Sequence, residues 1–473
     1  MPLDRRNFLK TSTLAAAAGG LAARHALGET PKEISEIRVG VIGLNGRGGS
    51  HLDGFGKNVV AICDCDLEVL SNRARRYDNV ETFTDYRKLL ERDDIHAVSI
   101  ATPNHTHSLI GIMAALAGKD VYVEKPVSQT VWEGRQLANA AKKYNRIIQC
   151  GTQSRSSPSL KEAVAFVQGG NLGAIKYAIG TCFKPRGSIG KLTEPLKIPD
   201  SLDYNLWCGP AAMAPIYRPK LHYDWHWDFN TGSGDMGNQG IHQMDIARWF
   251  LGEKALSPKV LSIGGRLGYE DAGNTPNTQI VVHAYEKAPL FFETRGLRAY
   301  AGGRQMDRYR GSQIGVVVQC ENGHVLVPSY TSAVAFDADG NKIKEWHGGG
   351  DHFKNFLQAV VSRDASSLNA EVTEGHLSSA LCHTGNISHR LGEPVAYDEI
   401  ADKFASDAML SSSLDRMAGH LRANDVNIDG AVLTLGPTLA MDPQTERFTN
   451  SDPANGLLHR EDRPEFAIPK IDV

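Results

Sequence analysis

The chain has 473 residues, 41% of them hydrophobic and 22% charged, with a formal net charge of −3. That length suggests two or three domains of ordinary globular composition. The near balance of charge gives no basis for a nucleic-acid partner, and no uninterrupted apolar run reaches the ~18 residues of a membrane span in the mature protein.

The first segment reads as an address, not as fold. Arg5-Arg6-Asn7-Phe8-Leu9-Lys10 precedes a short alanine-rich stretch, and Ala26-Leu27-Gly28 is a small-residue cleavage site. Twin arginines ahead of a weakly apolar region read as a twin-arginine export signal over residues 1–28. The protein is therefore expected in the periplasm, or otherwise exported by that route. Because the route carries folded proteins, a cofactor can be loaded before export and is expected to be tightly held. The seven cysteines are scattered and form no CxxC pair, which argues against a disulfide framework.

Residues 37–49, IRVGVIGLNGRGG, open with a run suited to a buried parallel strand and continue into clustered glycines. A second apolar run, 59–63, ends at Asp64, 21 residues after Gly43. Strand, glycine turn, helix, strand and acid form the dinucleotide-binding fingerprint. The motif departs from GxGxxG because Asn45 stands where the second glycine belongs and Gly46 follows one place late. Asn tolerates positive φ, so the turn is expected to survive. Gly43, Asn45, Gly46, Arg47 and Gly48 are assigned to the pyrophosphate end, at a helix N-terminus. Asp64 is assigned to the adenosine ribose, which favours NAD over NADP.

Helices are expected over 67–77, 86–91, 109–117 and 131–143, and strands over 97–101, 121–123 and 147–150. This alternation predicts a doubly wound α/β domain over 36–154. Three polar segments follow strand ends: the glycine turn, Thr102-Pro103-Asn104-His105-Thr106-His107, and Glu124-Lys125-Pro126. Ligands in such sheets sit at the carboxyl ends of strands, so the three are expected to converge on one site. Beyond residue 155 strand-like runs separated by turns dominate, at 175–183, 260–267, 278–285, 290–294, 315–319 and 324–328. They predict a second, α+β domain over 155–400 with a largely antiparallel sheet. Residues 401–473 read as an extended tail wrapped over that domain.

The segments GVIGLNGRGG, ATPNHTH and VEKPVS, together with Gly232 to Asp245 (GSGDMGNQGIHQMD), resemble the Gfo/Idh/MocA oxidoreductases, the family of glucose–fructose oxidoreductase and inositol dehydrogenase. The resemblance covers roughly residues 37–397. It implies a Rossmann domain followed by an open-faced sheet domain, bound NAD(P), and oxidation or reduction of a sugar, polyol or related carbohydrate. It implies that Lys125 lies between nicotinamide and substrate, where an ammonium can hold the reacting hydroxyl and stabilise a developing alkoxide. Thr102, Pro103, Asn104, His105 and Glu124 would then line the cofactor. His242 takes the position of an acid/base histidine. The family's aspartate four residues earlier is replaced here by Asn238, which can orient a hydroxyl but cannot carry a proton. Asp245 shares the helical face of His242 and is the alternative partner.

Tyr204, His222, Tyr223, Trp225 and His226 suit a carbohydrate, whose C–H faces pack on aromatic rings. Lys184 and Arg186 follow a strand and are candidate clamps for hydroxyls or an acid group. No metal site is expected. The resemblance leaves a homo-oligomer open, through pairing of exposed sheet faces. Two further activities stay open beside plain oxidation: a glycoside hydrolase that oxidises its sugar transiently and re-reduces it, and a non-catalytic sugar-binding protein of the same fold.

Overall fold

The computed structural model describes residues 31–77 and 79–473. The export signal expected over residues 1–28 lies outside the described residues.

The first sheet consists of β1 (Val39–Ile42), β2 (Val59–Cys63), β3 (Glu81–Phe83), β4 (Ala97–Ile100), β5 (Asp120–Val123) and β6 (Ile148–Cys150), in the spatial order β3-β2-β1-β4-β5-β6. All its pairings are parallel. β1, β4 and β5 are buried along their whole length, as parallel strands covered by helices on both faces must be. The strand order reverses between β1 and β4, so the crevice beyond their carboxyl ends is the natural ligand position.

The helix Val131–Lys143 shows how local chemistry fixes these elements. Thr130 caps its N-terminus by accepting from the Glu133 amide, and Lys142 and Lys143 lie in its last turn, where the macrodipole favours cations.

The second sheet is mixed and mostly antiparallel. Its strands are β7 (Ile175–Phe183), β8 (Lys259–Gly265), β9 (Thr278–His283), β10 (Leu290–Arg295), β11 (Ile314–Cys320), β12 (Gly323–Ser329), β13 (Ser332–Asp337) and β14 (Lys342–His347), extended by β15 (Glu393–Val395), β16 (Leu433–Leu435) and β17 (Leu439–Asp442). Only β7 and β10 run parallel to each other in this sheet. One face is covered by the helices Ile241–Leu251 and Val372–Arg390, through Phe250, Met244, Leu381 and Phe292. The longer helix also reaches the first domain: a Cβ at Gly375 would lie 2.5 Å from the Cβ of Cys150.

Two expectations for the second half need correction. The face expected to be open is covered within the chain: the helices Tyr397–Phe404 and Ala408–Arg422 lay Ile400, Leu410, Leu414, Met417 and Leu421 on Ile179, Ile263, Ile280 and Phe291. Residues 401–473 are therefore not simply an extended tail, because apolar residues at helical spacing across 410–421 need a surface, and the sheet supplies one. Nor does the remainder stay on the second domain. Phe466, Ile468 and Ile471 join the core of the first, and the Ile471 amide donates to Gln136 Oε1 at 2.6 Å.

Candidate functional site

A cleft with a cavity of about 370 Å³ runs along the carboxyl edge of the first sheet and under the segment 222–226. The glycine turn, Asp64, Thr102-Pro103-Asn104, Glu124, Lys125 and Asn238 line it together. The three strand-end segments therefore meet at one place.

At one end, Gly43 (φ +84°) and Gly46 (φ +49°) carry the positive φ values of the turn. Asn45 does not. Its side chain instead accepts from the Gly46 amide at 2.9 Å, so the turn survives by a side-chain hydrogen bond. The helix Arg47–Phe55 starts directly afterwards, and a Cβ at Gly46 would meet nothing within 4 Å. That leaves open space in front of a helix N-terminus, the ordinary cradle for an anion. Gly48 is not part of the cradle's surface. Its Cβ position is 2.1 Å from the Gly43 carbonyl oxygen, so its role is to let the helix pack on the turn.

Asp64 is held by the amides of Leu44 (2.9 Å) and Asp66 (3.0 Å). Burial raises its pKa, and those two N–H bonds oppose the rise. The walls beyond it include Cys63, Cys65, Thr84, Tyr86 and Ile110, residues that carry no motif.

At the other end a buried charge chain fixes the lysine. Glu124 accepts from Arg47 Nε at 2.8 Å and contacts His51 Nε2 at 3.1 Å, and His51 Nδ1 contacts Ser99 Oγ at 2.7 Å. Burial would raise the Glu124 pKa, but the His51 bond and the Arg47 charge hold it well below the usual range, so it is an anion. Lys125 Nζ donates to the backbone carbonyl of Asn238 at 2.6 Å. Burial lowers the lysine's pKa; Glu124 opposes this, and Arg47 and Lys184 reinforce it.

Asn238 thus meets Lys125 through its carbonyl oxygen, and the residue also lines the cleft. It lies in a π-helical turn, Met236–Gly240, that leads into the helix carrying His242. Such insertions are common at functional sites because they redirect backbone groups.

His242 is buried, its ring 4.8 Å from that of Tyr330, and its Nδ1 has no hydrogen-bond partner. Burial, then the Lys125 charge, hold its pKa well below the ordinary value, so the ring is neutral at pH 7. Tyr330 comes from the turn after β12 and also accepts from Gln239 Nε2 at 2.5 Å; no local sequence signal marked it.

Above the cleft Trp225 stacks on His226 at 3.6 Å. Burial, then Lys125 and Arg186, push the His226 pKa down to about 3, against the ring's bond to the Tyr223 carbonyl. His222 contacts Asp66 Oδ2 at 3.1 Å, tying this segment to the first domain.

Several expected residues sit elsewhere. His105 is fully buried outside the cleft, its ring nitrogens on the carbonyls of Trp207 (2.7 Å) and Thr231 (3.2 Å). His107, which lines the cleft, stands between the carbonyls of Pro126 (2.6 Å) and Thr102 (2.7 Å). The short helical turn after Pro103 rotates alternate side chains inward, which a linear motif does not reveal. Tyr204 stacks on Trp207 at 5.7 Å and donates to the Ala214 carbonyl. Arg186 is committed to Asp235 (2.6 Å) and Tyr223 Oη (3.1 Å), so it positions a cleft residue without lining the cleft.

Lys184 is outside the lining, though its charge reaches Lys125 and His242. Asp245 points away from His242: it pairs with Arg155 at 2.9 Å and accepts from Ser378 at 2.7 Å, because a buried carboxylate must find a cation. It is not the missing aspartate's substitute. Among the described residues no group of three or more His, Cys, Asp and Glu is arranged to hold a metal ion.

Comparison with known proteins gives three family matches along the chain. The oxidoreductase family with an NAD-binding Rossmann fold matches residues 37–152, and its C-terminal alpha/beta domain matches 175–290. A twin-arginine translocation signal sequence matches 2–22. Levoglucosan dehydrogenase of Pseudarthrobacter phenanthrenivorans is 28% identical over 202 residues, 42% of this chain and 44% of that protein. Glycosyl hydrolase family 109 protein 2 of Shewanella sp. strain ANA-3 is 37% identical over 172 residues, 30% of this chain and 38% of that protein. The chain thus spans less than half the length of either relative. The solved structure of levoglucosan dehydrogenase with NADH and levoglucosan superposes with a TM-score of 0.55 at 21% identity, covering 74% of this chain and 97% of that one, which is a likeness of fold.

Proposed function

We propose, from the premise that the chain belongs to the Gfo/Idh/MocA oxidoreductase family, that it transfers hydride between a sugar or polyol hydroxyl carbon and a nicotinamide cofactor. The observation that carries this reading is the placement of the Lys125 ammonium, 2.6 Å from the Asn238 carbonyl and electrostatically coupled to His242, inside the cleft that begins at the glycine turn.

The residues present fit NAD. Asn104 is 3% exposed, lines the cleft and has an unpartnered Nδ2; Gly46 leaves open space; Asp64 presents a carboxylate where a 2′-phosphate would be repelled. Gly43, Gly46, Arg47, Asp64, Asn104 and Glu124 would hold the cofactor. Bound there, NAD supplies the hydride acceptor.

The chain supplies the rest. Lys125 holds the hydroxyl oxygen and offsets the negative charge that grows on it. Glu124 and Arg47 set the lysine's basicity, and the Asn238 carbonyl fixes its direction. His242, neutral at pH 7 but outside the residues that line the cleft, is the second base for the hydroxyl proton after Lys125, with no carboxylate behind it. Trp225 and His226 form a flat stacked wall suited to a sugar face.

The likeness to the glycosyl hydrolase family 109 protein favours a second reading on the same site, redox-neutral hydrolysis by transient oxidation. The twin-arginine match supports export to the periplasm with the cofactor already bound. The test is incubation with a panel of sugars and nitrophenyl glycosides, with mass spectrometry of the products and of nucleotide released on denaturation. A ketone product supports oxidation. Aglycone release without net NADH supports the hydrolase. Sugar binding with neither product, and no nucleotide released, would leave a non-catalytic binding protein and refute both.

A further inference from the structure

A second cavity of about 480 Å³ lies on the far side of the segment 225–235 from the cleft, closed by residues 456–461 of the tail. Its wall carries an unusual set of unmatched polar atoms. The Nδ2 of Asn386, a residue 5% exposed, donates to the Ser233 carbonyl at 3.0 Å, which fixes the amide's orientation and leaves Oδ1 with no donor. Gln129 Nε2 donates to the carbonyls of Phe229 (3.0 Å) and Gly232 (2.7 Å), so its Oε1 is likewise without a donor. Ser233 is 2% exposed and its Oγ has no partner; neither has Arg460 Nη1. Buried polar atoms in folded proteins are normally matched, and four unmatched on one cavity wall point to a ligand.

Their chemistry restricts its class. Two amide oxygens need hydrogen-bond donors, which a carboxylate cannot give and an inorganic phosphate gives only through a protonated oxygen. Arg390, stacked 5.4 Å over Phe229, and Arg460 are offset on the same wall by Asp228 and Glu461, so the lining gives no net preference for an ion of either sign. A hydroxyl both donates and accepts, and the Phe229 ring beside these groups offers an apolar face. We infer that this cavity is a second, non-catalytic binding site for a neutral sugar or polyol. The site shares only the segment 225–235 with the cleft and does not depend on the reaction proposed there.

Gly456 lines the cavity, and a Cβ on it would meet nothing within 4 Å, so Gly456→Trp fills the space without removing a hydrogen bond. The test uses the purified full chain with its nucleotide and a Lys125→Met background that disables the cleft. Ligand-observed NMR and calorimetry measure binding of glucose, galactose and xylose, with glucuronate and inorganic phosphate as anionic probes. The expected result is a neutral-sugar component that persists in Lys125→Met and weakens at least tenfold when Gly456→Trp is added. Asn386→Leu should weaken it as well, and unchanged melting of either variant shows that the loss is local. The inference is overturned by a component insensitive to Gly456→Trp, by binding of the anionic probes alone, or by no neutral-sugar component, which would mean that ordered water alone satisfies the wall. A crystal soaked in glucose decides the matter if both variants fail to fold: sugar density in the cavity supports the site, and water there refutes it.

Discussion

The cleft edge and the layer behind it are built by opposite strategies. Along the edge, Gly43, Asn104 and Lys125 each stand just beyond a short buried strand, so a few contiguous residues put each group in place. Behind it, positions are set by partners hundreds of residues away. Arg460 meets Glu133 at 3.0 Å and donates to the His105 carbonyl at 2.7 Å. Arg463 donates to the carbonyls of Asn205 and Gly209, both at 3.1 Å. The contrast teaches that chemistry here is local in sequence, while the rigidity that holds it is not.

Substitutions at the edge should therefore damage turnover and spare stability, and substitutions in the brace should do the reverse. The largest effect is expected for Lys125→Met. Losing one donor to a developing alkoxide costs about 10²–10³ in kcat, with nucleotide content and melting temperature near wild type. Loss of the cofactor along with the activity would break the comparison. The same variant sharpens it: the lysine's charge lowers the His242 pKa, so removing that charge should move the imidazole's NMR titration to higher pH. No movement would separate the two side chains.

Next is Arg460→Ala, which strands Glu133, a carboxyl with no exposed surface. Breaking such a buried pair costs about 3–5 kcal/mol, measured by urea unfolding, while kcat per folded molecule should fall little. A kcat loss as large as that of Lys125→Met would show that the brace takes part in the chemistry.

The smallest effect is a pH dependence in the second domain. Glu374 meets Arg248 at 2.6 Å and Arg155 at 3.1 Å. Burial opposes ionisation, but these arginines hold its pKa down to about 2. A carboxyl depressed in the folded state adds stability above its unfolded value near 4.3, and that stability is lost as pH falls from there toward 2. With a fifth of the side chain exposed, the loss should be about 1–2 kcal/mol. Glu374→Gln should flatten this part of the stability–pH curve, and an unchanged slope would remove Glu374 as its source.

What the sequence made legible follows the same division. The fold class and the convergence of three strand ends, with Lys125 on one of them, could be read because periodicity and strand-end motifs are short-range signals. Asn238 was read for its side chain alone; that its carbonyl, in a π-helical turn, also accepts from Lys125 was not legible. Asp245 shares a helical face with His242 on paper, yet the pull of buried Arg155 decided its direction. His105 and His107 exchanged places because one turn of 3₁₀ helix separates them. Tyr330 could not be foreseen, since it reaches His242 from the turn between β12 and β13, far away in the chain. The helices over 397–422 were missed because Ser411, Ser412 and Asp415, on the opposite face from Leu410, Leu414, Met417 and Leu421, make the segment read as polar without the sheet beneath it.

The return of residues 460–471 to the first domain has a consequence for the order of assembly. The strands of both sheets precede this segment in the chain, yet Arg460 and Arg463 complete the support of the Asn104 and Trp207 segments, and Ile471 ties down the helix Val131–Lys143 through Gln136. The cleft therefore reaches its final shape only after residues 460–471 have been made and docked. A chain leaving the cytoplasm as a finished body would have a narrow interval in which to capture its nucleotide, after that segment docks and before translocation begins.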